Sequence, residues 1–324
     1  MSRIAESSDK NAFLNVRLNL RAMGLSDESE WKVRSSQIIN VTRLIMQMYI
    51  SQEKLKEEEK LRKKLEDFQL TSKEFLMFKL PNGLEVNGWM MKPLNFDSTR
   101  KYPVLMFVYG GPGSQTVVNR WGGNDYFWHQ SLCAKGYIVV SFDGRGTGMR
   151  GVAYKNATYK QLGKYEIDDQ IEVAKMLGKM NCIDARRIGM YGWSFGGYMS
   201  SLAITKGADV FKSAVAVAPV INWRYYDNIY TERYMQTPQE NAEGYDQNSP
   251  STFAHKVKGN YLLIHGTADD NVHFQNSMMM VKAMVDQGIS FDFEAYPDKD
   301  HGIYGGKTRY QLFSKISQWL FTNL

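Results

Sequence analysis

A chain of 324 residues, 43 % hydrophobic and 23 % charged, carries enough apolar material for one large domain or a domain with a small appendage, which excludes wholesale disorder. Its formal net charge of +6 is not gathered into a basic patch interleaved with aromatics, so no nucleic-acid partner is expected. Only two cysteines occur, Cys133 and Cys182, with no CxxC or Cys/His cluster; they read as free buried thiols, and no metal site is expected.

The opening MSRIAESSDKNAF lacks the apolar run of a signal peptide, and the longest apolar stretches are strand-sized. As written, the chain is therefore expected in the cytoplasm, with no membrane segment. Residues 1–69 read as a helical amino-terminal extension. Ser26, Glu28 and Ser29 suit a helix start, and Ile38, Val41, Ile45 and Met48 recur at helical spacing. SQEKLKEEEKLRKKLEDF follows, almost all strong helix formers, with a thinner stripe of Leu55, Leu61, Leu65 and Phe68. No heptad run is sustained. An extension that packs on its own domain or stands in solvent is favoured over a partner-binding coiled coil.

From residue 70 to 324 the pattern is α/β. EFLMFKL and LEVNGWMMKP flank Asn82-Gly83, the signature of a β-hairpin. The apolar runs PVLMFVYG, YIVVSFDG, RIGMYGW, SAVAVAP, NYLLIHG and FDFEAYP then alternate with segments of helical period, such as GKYEIDDQIEVAKMLGKM and HFQNSMMMVKAMVDQG. That alternation predicts a mostly parallel sheet with helices on both faces and function at the carboxyl ends of its strands.

Gly192-Trp193-Ser194-Phe195-Gly196 places a serine at the junction of a strand and a helix, the context of a nucleophile elbow. Small residues tighten the turn, and the helix amino terminus aims N–H groups at the same point. A serine hydroxyl needs a base and an orienting acid, which come after such an elbow in the order acid, histidine. His301, in DKDHG beyond the last strand, is the base by position. His129 precedes the serine, His255 lies in a polar loop, His265 ends a strand in a buried setting, and His273 begins a helix. HGTADDNV offers Asp269 and Asp270 as the acid, and position alone does not separate them; Asp298 and Asp300 are too near His301 in the chain. The Phe195 amide is one oxyanion donor. The second comes from VYGGPGSQ, as a glycine amide or the Tyr109 hydroxyl.

YGGPGS, SFDGRGTG, GWSFGGYMS, YTERYM, HGTADDNVHFQ and the final DHG are similar, in that order, to the catalytic domain of the prolyl oligopeptidase family. The nearest branch is dipeptidyl peptidase IV, particularly its bacterial members. The resemblance covers roughly residues 70–324 and implies an α/β-hydrolase fold. It implies Ser194 as nucleophile, Asp269 as acid, His301 as base, and the Tyr109 hydroxyl beside the Phe195 amide in the oxyanion hole. It further implies that Tyr226 and Tyr230 wall a pocket for a proline-like ring, filled out by Val220, Trp223 and Val272. Asn271 matches the side chain that holds a substrate carbonyl. In the family a β-propeller precedes this domain and grips the substrate's amino terminus through a glutamate pair. Residues 1–69 carry no blade repeats, so that grip is expected to be missing from this chain.

The expected activity is that of a serine peptidase cleaving after proline or alanine near peptide amino termini, with a peptide as its partner and no cofactor. The family commonly dimerises through this domain, which implies a homodimer. A general esterase or amidase of the same fold is one alternative. A non-catalytic remnant whose helical amino terminus binds a partner is another.

Overall fold

A computed structural model describes residues 59–60, 63–65, 70–120 and 122–324. By compactness the chain divides into residues 1–69 and 70–324. Apart from 59–60 and 63–65, which are helical, the amino-terminal extension lies outside the described residues.

In the second unit eight strands form one sheet: β1 (Glu74–Lys79), β2 (Glu85–Met91), β3 (Tyr102–Val108), β4 (Ile138–Asp143), β5 (Ile183–Trp193), β6 (Ser213–Val217), β7 (Asn260–Gly266) and β8 (Asp292–Tyr296). Their order is β1-β2-β4-β3-β5-β6-β7-β8. The first two pair antiparallel across the predicted turn, where Gly83 takes a φ of 83° and Asn82 Oδ1 accepts the Leu84 N–H at 3.0 Å. β2 is antiparallel to β4, and every later pairing is parallel. The predicted runs thus become strands in place, and the fold is that of a mostly parallel sheet clad by helices.

Alternation along the buried strands builds apolar clusters on both faces of the sheet. Val104, Met106 and Val108 of β3, with Ile138, Val140 and Phe142 of β4, face one side; Leu105 and Val139 face the other. Onto the first side pack helices α3 (Tyr165–Gly178), through Ile167, Val173 and Leu177, and α4 (Phe195–Thr205), through Tyr198, Met199 and Leu202. Onto the second pack α1 (Gly123–Ala134), through Trp128 and Leu132, and α8 (Thr308–Asn323), through Leu312, Ile316 and Leu320. Each such aliphatic side chain contributes about 1.5–3 kcal/mol on burial, which pins the register wherever a one-residue slip would swap the two faces. Cys133 and Cys182 are both free and buried, and burial pushes the Cys133 thiol up to about 12.

Because the strands from β3 onward run the same way, their carboxyl ends share one edge. Tyr109 follows β3, Ser194 follows β5, Asp269 leaves β7 and His301 leaves β8, each within five residues of its strand's end. That edge is where a parallel sheet leaves its crevice.

Candidate active site

Ser194 has φ 60° and ψ −116°, a conformation that costs a residue with a Cβ about 1–3 kcal/mol. Its N–H donates to Val217 O at 2.8 Å, and α4 begins at the next residue. The glycines around it answer to close backbone approach. A Cβ on Gly192 would meet the Gly196 carbonyl carbon at 2.3 Å, and one on Gly196 would meet Val108 O at 2.2 Å. As the first residue of α4, Phe195 has an N–H without an intrahelical acceptor, at the positive end of the helix dipole.

The structure separates the two aspartates. Asp270 is exposed, whereas Asp269 is 5 % exposed and takes four hydrogen bonds. Its Oδ1 accepts the N–H groups of Asn271 and Val272, each at 2.9 Å. Its Oδ2 accepts His301 Nδ1 at 2.7 Å and His265 Nε2 at 3.1 Å. Burial would raise this carboxyl, but the donors of His265 and His301, the charge of His301 and the Asn271 amide outweigh it and hold it well below the usual carboxylate range. With Nδ1 committed to Asp269, His301 keeps Nε2 for a proton from outside. Trp193, the residue before Ser194, donates Nε1 to His301 O at 2.9 Å and so ties the histidine loop to the elbow. Among the described residues the Ser194 hydroxyl forms no hydrogen bond.

The other histidines are elsewhere. His129 is buried among Trp89, Phe107 and Trp128, and burial, with Lys73 adding repulsion, pushes it down to about 3. His255 and His273 are exposed outside this constellation. Asp300 uses its Oδ1 on the Gly302 N–H at 3.1 Å, and Asp298 sits in the turn at φ 55°.

Tyr109 is 38 % exposed, its ring 6.1 Å from that of Phe195, and burial of the phenol raises it above the usual tyrosine range. A phenol so held is a neutral donor. The loop after it is clamped by Asp143 at the end of β4, which accepts Thr116 N–H at 3.0 Å, Thr116 Oγ1 at 2.6 Å and Val117 N–H at 2.9 Å. Gly113 N–H donates to Gly146 O at 2.9 Å, and Gly148 N–H to Ser114 O at 3.0 Å. Arg145, in the same DGRGTG turn, makes a bidentate pair with buried Asp169 at 2.6 and 3.0 Å.

The predicted pocket residues gather as one aromatic group. Tyr226 and Tyr230 meet edge to face at 5.3 Å, and Trp223 stacks on Tyr230 at 5.8 Å. Val220, Trp223 and Val272 are sealed, at 2 %, 1 % and 0 % exposure, so they back the two tyrosines and present little surface of their own. Tyr226 donates its hydroxyl to Asn271 Oδ1 at 3.0 Å, which leaves the Asn271 Nδ2 free to donate outward. Among the described residues no group of three or more His, Cys, Asp and Glu has the geometry of a metal site.

Residues 124–324 match the model of the prolyl oligopeptidase family. The chain belongs to that family of serine peptidases. Over 270 residues it is 42 % identical to dipeptidyl peptidase 4 of Felis catus, covering 82 % of this chain and 35 % of that one. It is 41 % identical, over the same shares, to the prolyl endopeptidase FAP of Mus musculus. The crystal structure of dipeptidyl peptidase 4 from Porphyromonas gingivalis superposes with a TM-score of 0.79 at 47 % identity, covering 82 % of this chain and 37 % of that one. The chain thus spans about a third of the length of these relatives.

Three members of the site escape a reading of the sequence by motif. His265 reads as a structural core residue, and it is buried, but it also touches the acid. Its Nε2 faces two acceptors, Asp269 Oδ2 and Val272 O at 2.8 Å, so the proton resides there and Nδ1 accepts the Ser277 hydroxyl at 2.6 Å. Asp143 and Arg145 carry a weaker signal: an acid ending a largely apolar strand, followed by glycine, is out of place unless it holds something.

Proposed function

We propose that residues 70–324 form a serine peptidase domain that cleaves after proline or alanine through an acyl-enzyme. The observation that carries this is the Asp269–His301 contact at 2.7 Å, beside a serine held in a strained turn at a helix amino terminus. His301 Nε2 takes the Ser194 proton as the hydroxyl oxygen attacks the scissile carbonyl carbon. Asp269 holds the imidazole in the required tautomer and offsets its charge. The Phe195 N–H and the Tyr109 hydroxyl stabilise the oxyanion. His301 then returns the proton to the leaving amine, and water repeats the sequence on the acyl-serine. The compact apolar ring of a prolyl residue suits the Tyr226–Tyr230 corner, while Asn271 Nδ2 is free to hold the preceding carbonyl.

Turnover of a Gly-Pro chromogenic amide by the intact chain tests this, with a simple ester run in parallel. Wild type is expected to exceed Ser194→Ala by at least ~10³-fold on the amide, and a fluorophosphonate probe should label Ser194. Equal background in wild type and variant would end the catalytic reading. Ester turnover without amide turnover would instead favour a general esterase.

A further inference from the structure

A cavity of about 770 Å³, lined by none of the residues discussed as site members, is ringed by Lys160, Lys164, Lys206 and Lys256. Asp168 and Glu243 are the carboxylates in its lining, so the ammonium groups outnumber them two to one. Lys206 is the most enclosed of the four; the others are exposed. It follows the last residue of α4, and a helix carboxyl end accounts for one cation but not for four. Its ammonium donates to Asn248 Oδ1 at 3.1 Å and, among the described residues, pairs with no carboxylate. The ring of Phe253 lies 5.0 Å from both Lys206 and Lys256, a flat apolar surface between two cations.

The protein's own acids neutralise this cluster only in part. Glu166, close behind it, is pushed up to about 8 by burial. Burial, with repulsion from Lys164 and Lys256 set against the pull of Asp168 and Glu166, pushes Lys206 down to about 8. Like charges held together in excess of their counter-charges are relieved by an anion. The rim is also fixed in advance. Lys160 stands at a φ of 67°, its N–H donates to Tyr234 O at 2.7 Å, and its carbonyl accepts Asn241 Nδ2 at 2.8 Å. A preset backbone lowers the ordering cost of binding.

We propose that this cavity binds a small polyvalent anion, a phosphate ester or a polycarboxylate, with Lys206 at its floor and Lys160, Lys164 and Lys256 at its rim. The assignment does not rest on the peptidase reading.

Calorimetric titration of the intact chain at neutral pH and low salt, with inorganic pyrophosphate in one arm and citrate in the other, tests it. The arm that binds more tightly names the class. Saturable binding at one site per chain is expected, with a Kd below ~1 mM, weakening as sodium chloride rises. Lys206→Met should weaken it by about tenfold or more. Lys164→Gln combined with Lys256→Gln, both exposed positions, should do the same without changing the melting temperature of the anion-free protein. No saturable binding of either anion, or binding unchanged in the double variant, would overturn the proposal.

Discussion

The turn after β7 and the first turn of α3 each bury a carboxylate, and the two are held in opposite states. Asp269 has four donors around it and stays well below the usual carboxylate range. Glu166 is 2 % exposed, accepts the Gly163 N–H at 2.9 Å, leaves Oε1 without a partner among the described residues, and is pushed up to about 8 by burial. Burial alone disfavours an ionised carboxylate; the number of donors decides whether that penalty is overcome. A site that needs a fixed negative charge must therefore be built by its neighbours, and the segment His265–Val272 supplies three of the four locally.

The sharpest way to break the comparison is to remove the charge while keeping the shape. Asp269→Asn retains an acceptor for the two amides but turns an N–H group toward His301. The imidazole then presents its other tautomer, and kcat/KM should fall by on the order of 10⁴-fold. Activity kept within tenfold of wild type would mean that Asp269 does not orient the base.

Glu166→Gln is the converse. A carboxyl raised in the folded state binds its proton more tightly there than in the unfolded chain. Its contribution is full below about pH 4.5 and is lost as pH rises toward 8. Glutamine has no such proton to lose, so the variant should be the more stable protein by up to a few kcal/mol near pH 8. Its advantage in melting temperature should shrink toward pH 5, and a gap independent of pH would show that Glu166 ionises freely.

A smaller effect should come from His265→Leu, which removes one donor from Asp269. Loss of a hydrogen bond to a charged group predicts about a tenfold drop in kcat/KM. A carboxylate short of one donor holds the imidazolium more firmly, so the acid limb of the pH–rate profile should move to higher pH. His265→Gln, which keeps an N–H group, should recover part of both changes. If neither variant moves the profile, His265 is packing and nothing more.

Most of the fold was legible because its strands are short apolar runs punctuated by glycine and proline, each long enough for one strand and too short for a buried helix. The elbow was legible for the same reason: Gly192, Gly196 and Gly197 are forced by backbone approach, and backbone constraints write themselves into sequence as glycine. The choice between Asp269 and Asp270 was not, since adjacent positions differ in direction, and only burial tells them apart. His265 was hidden because its role depends on a tautomer and on a contact four residues away across a turn. The pocket tyrosines needed the family resemblance, since dense aromatics with charges between them suit a surface pocket without saying what each residue does. The helical reading of residues 1–69 falls almost wholly outside the described residues.

Ser194 also has a consequence for how such a chain drifts. Its left-handed backbone angle is one that glycine adopts without strain and that any residue with a Cβ resists. Ser194→Gly should therefore melt above Ser194→Ala, by about 1 kcal/mol in stability, although neither has a nucleophile. Thermodynamic preference pushes this position toward an inert glycine. Only the demand for turnover pushes back, and a lineage freed from that demand would grow sturdier as it fell silent.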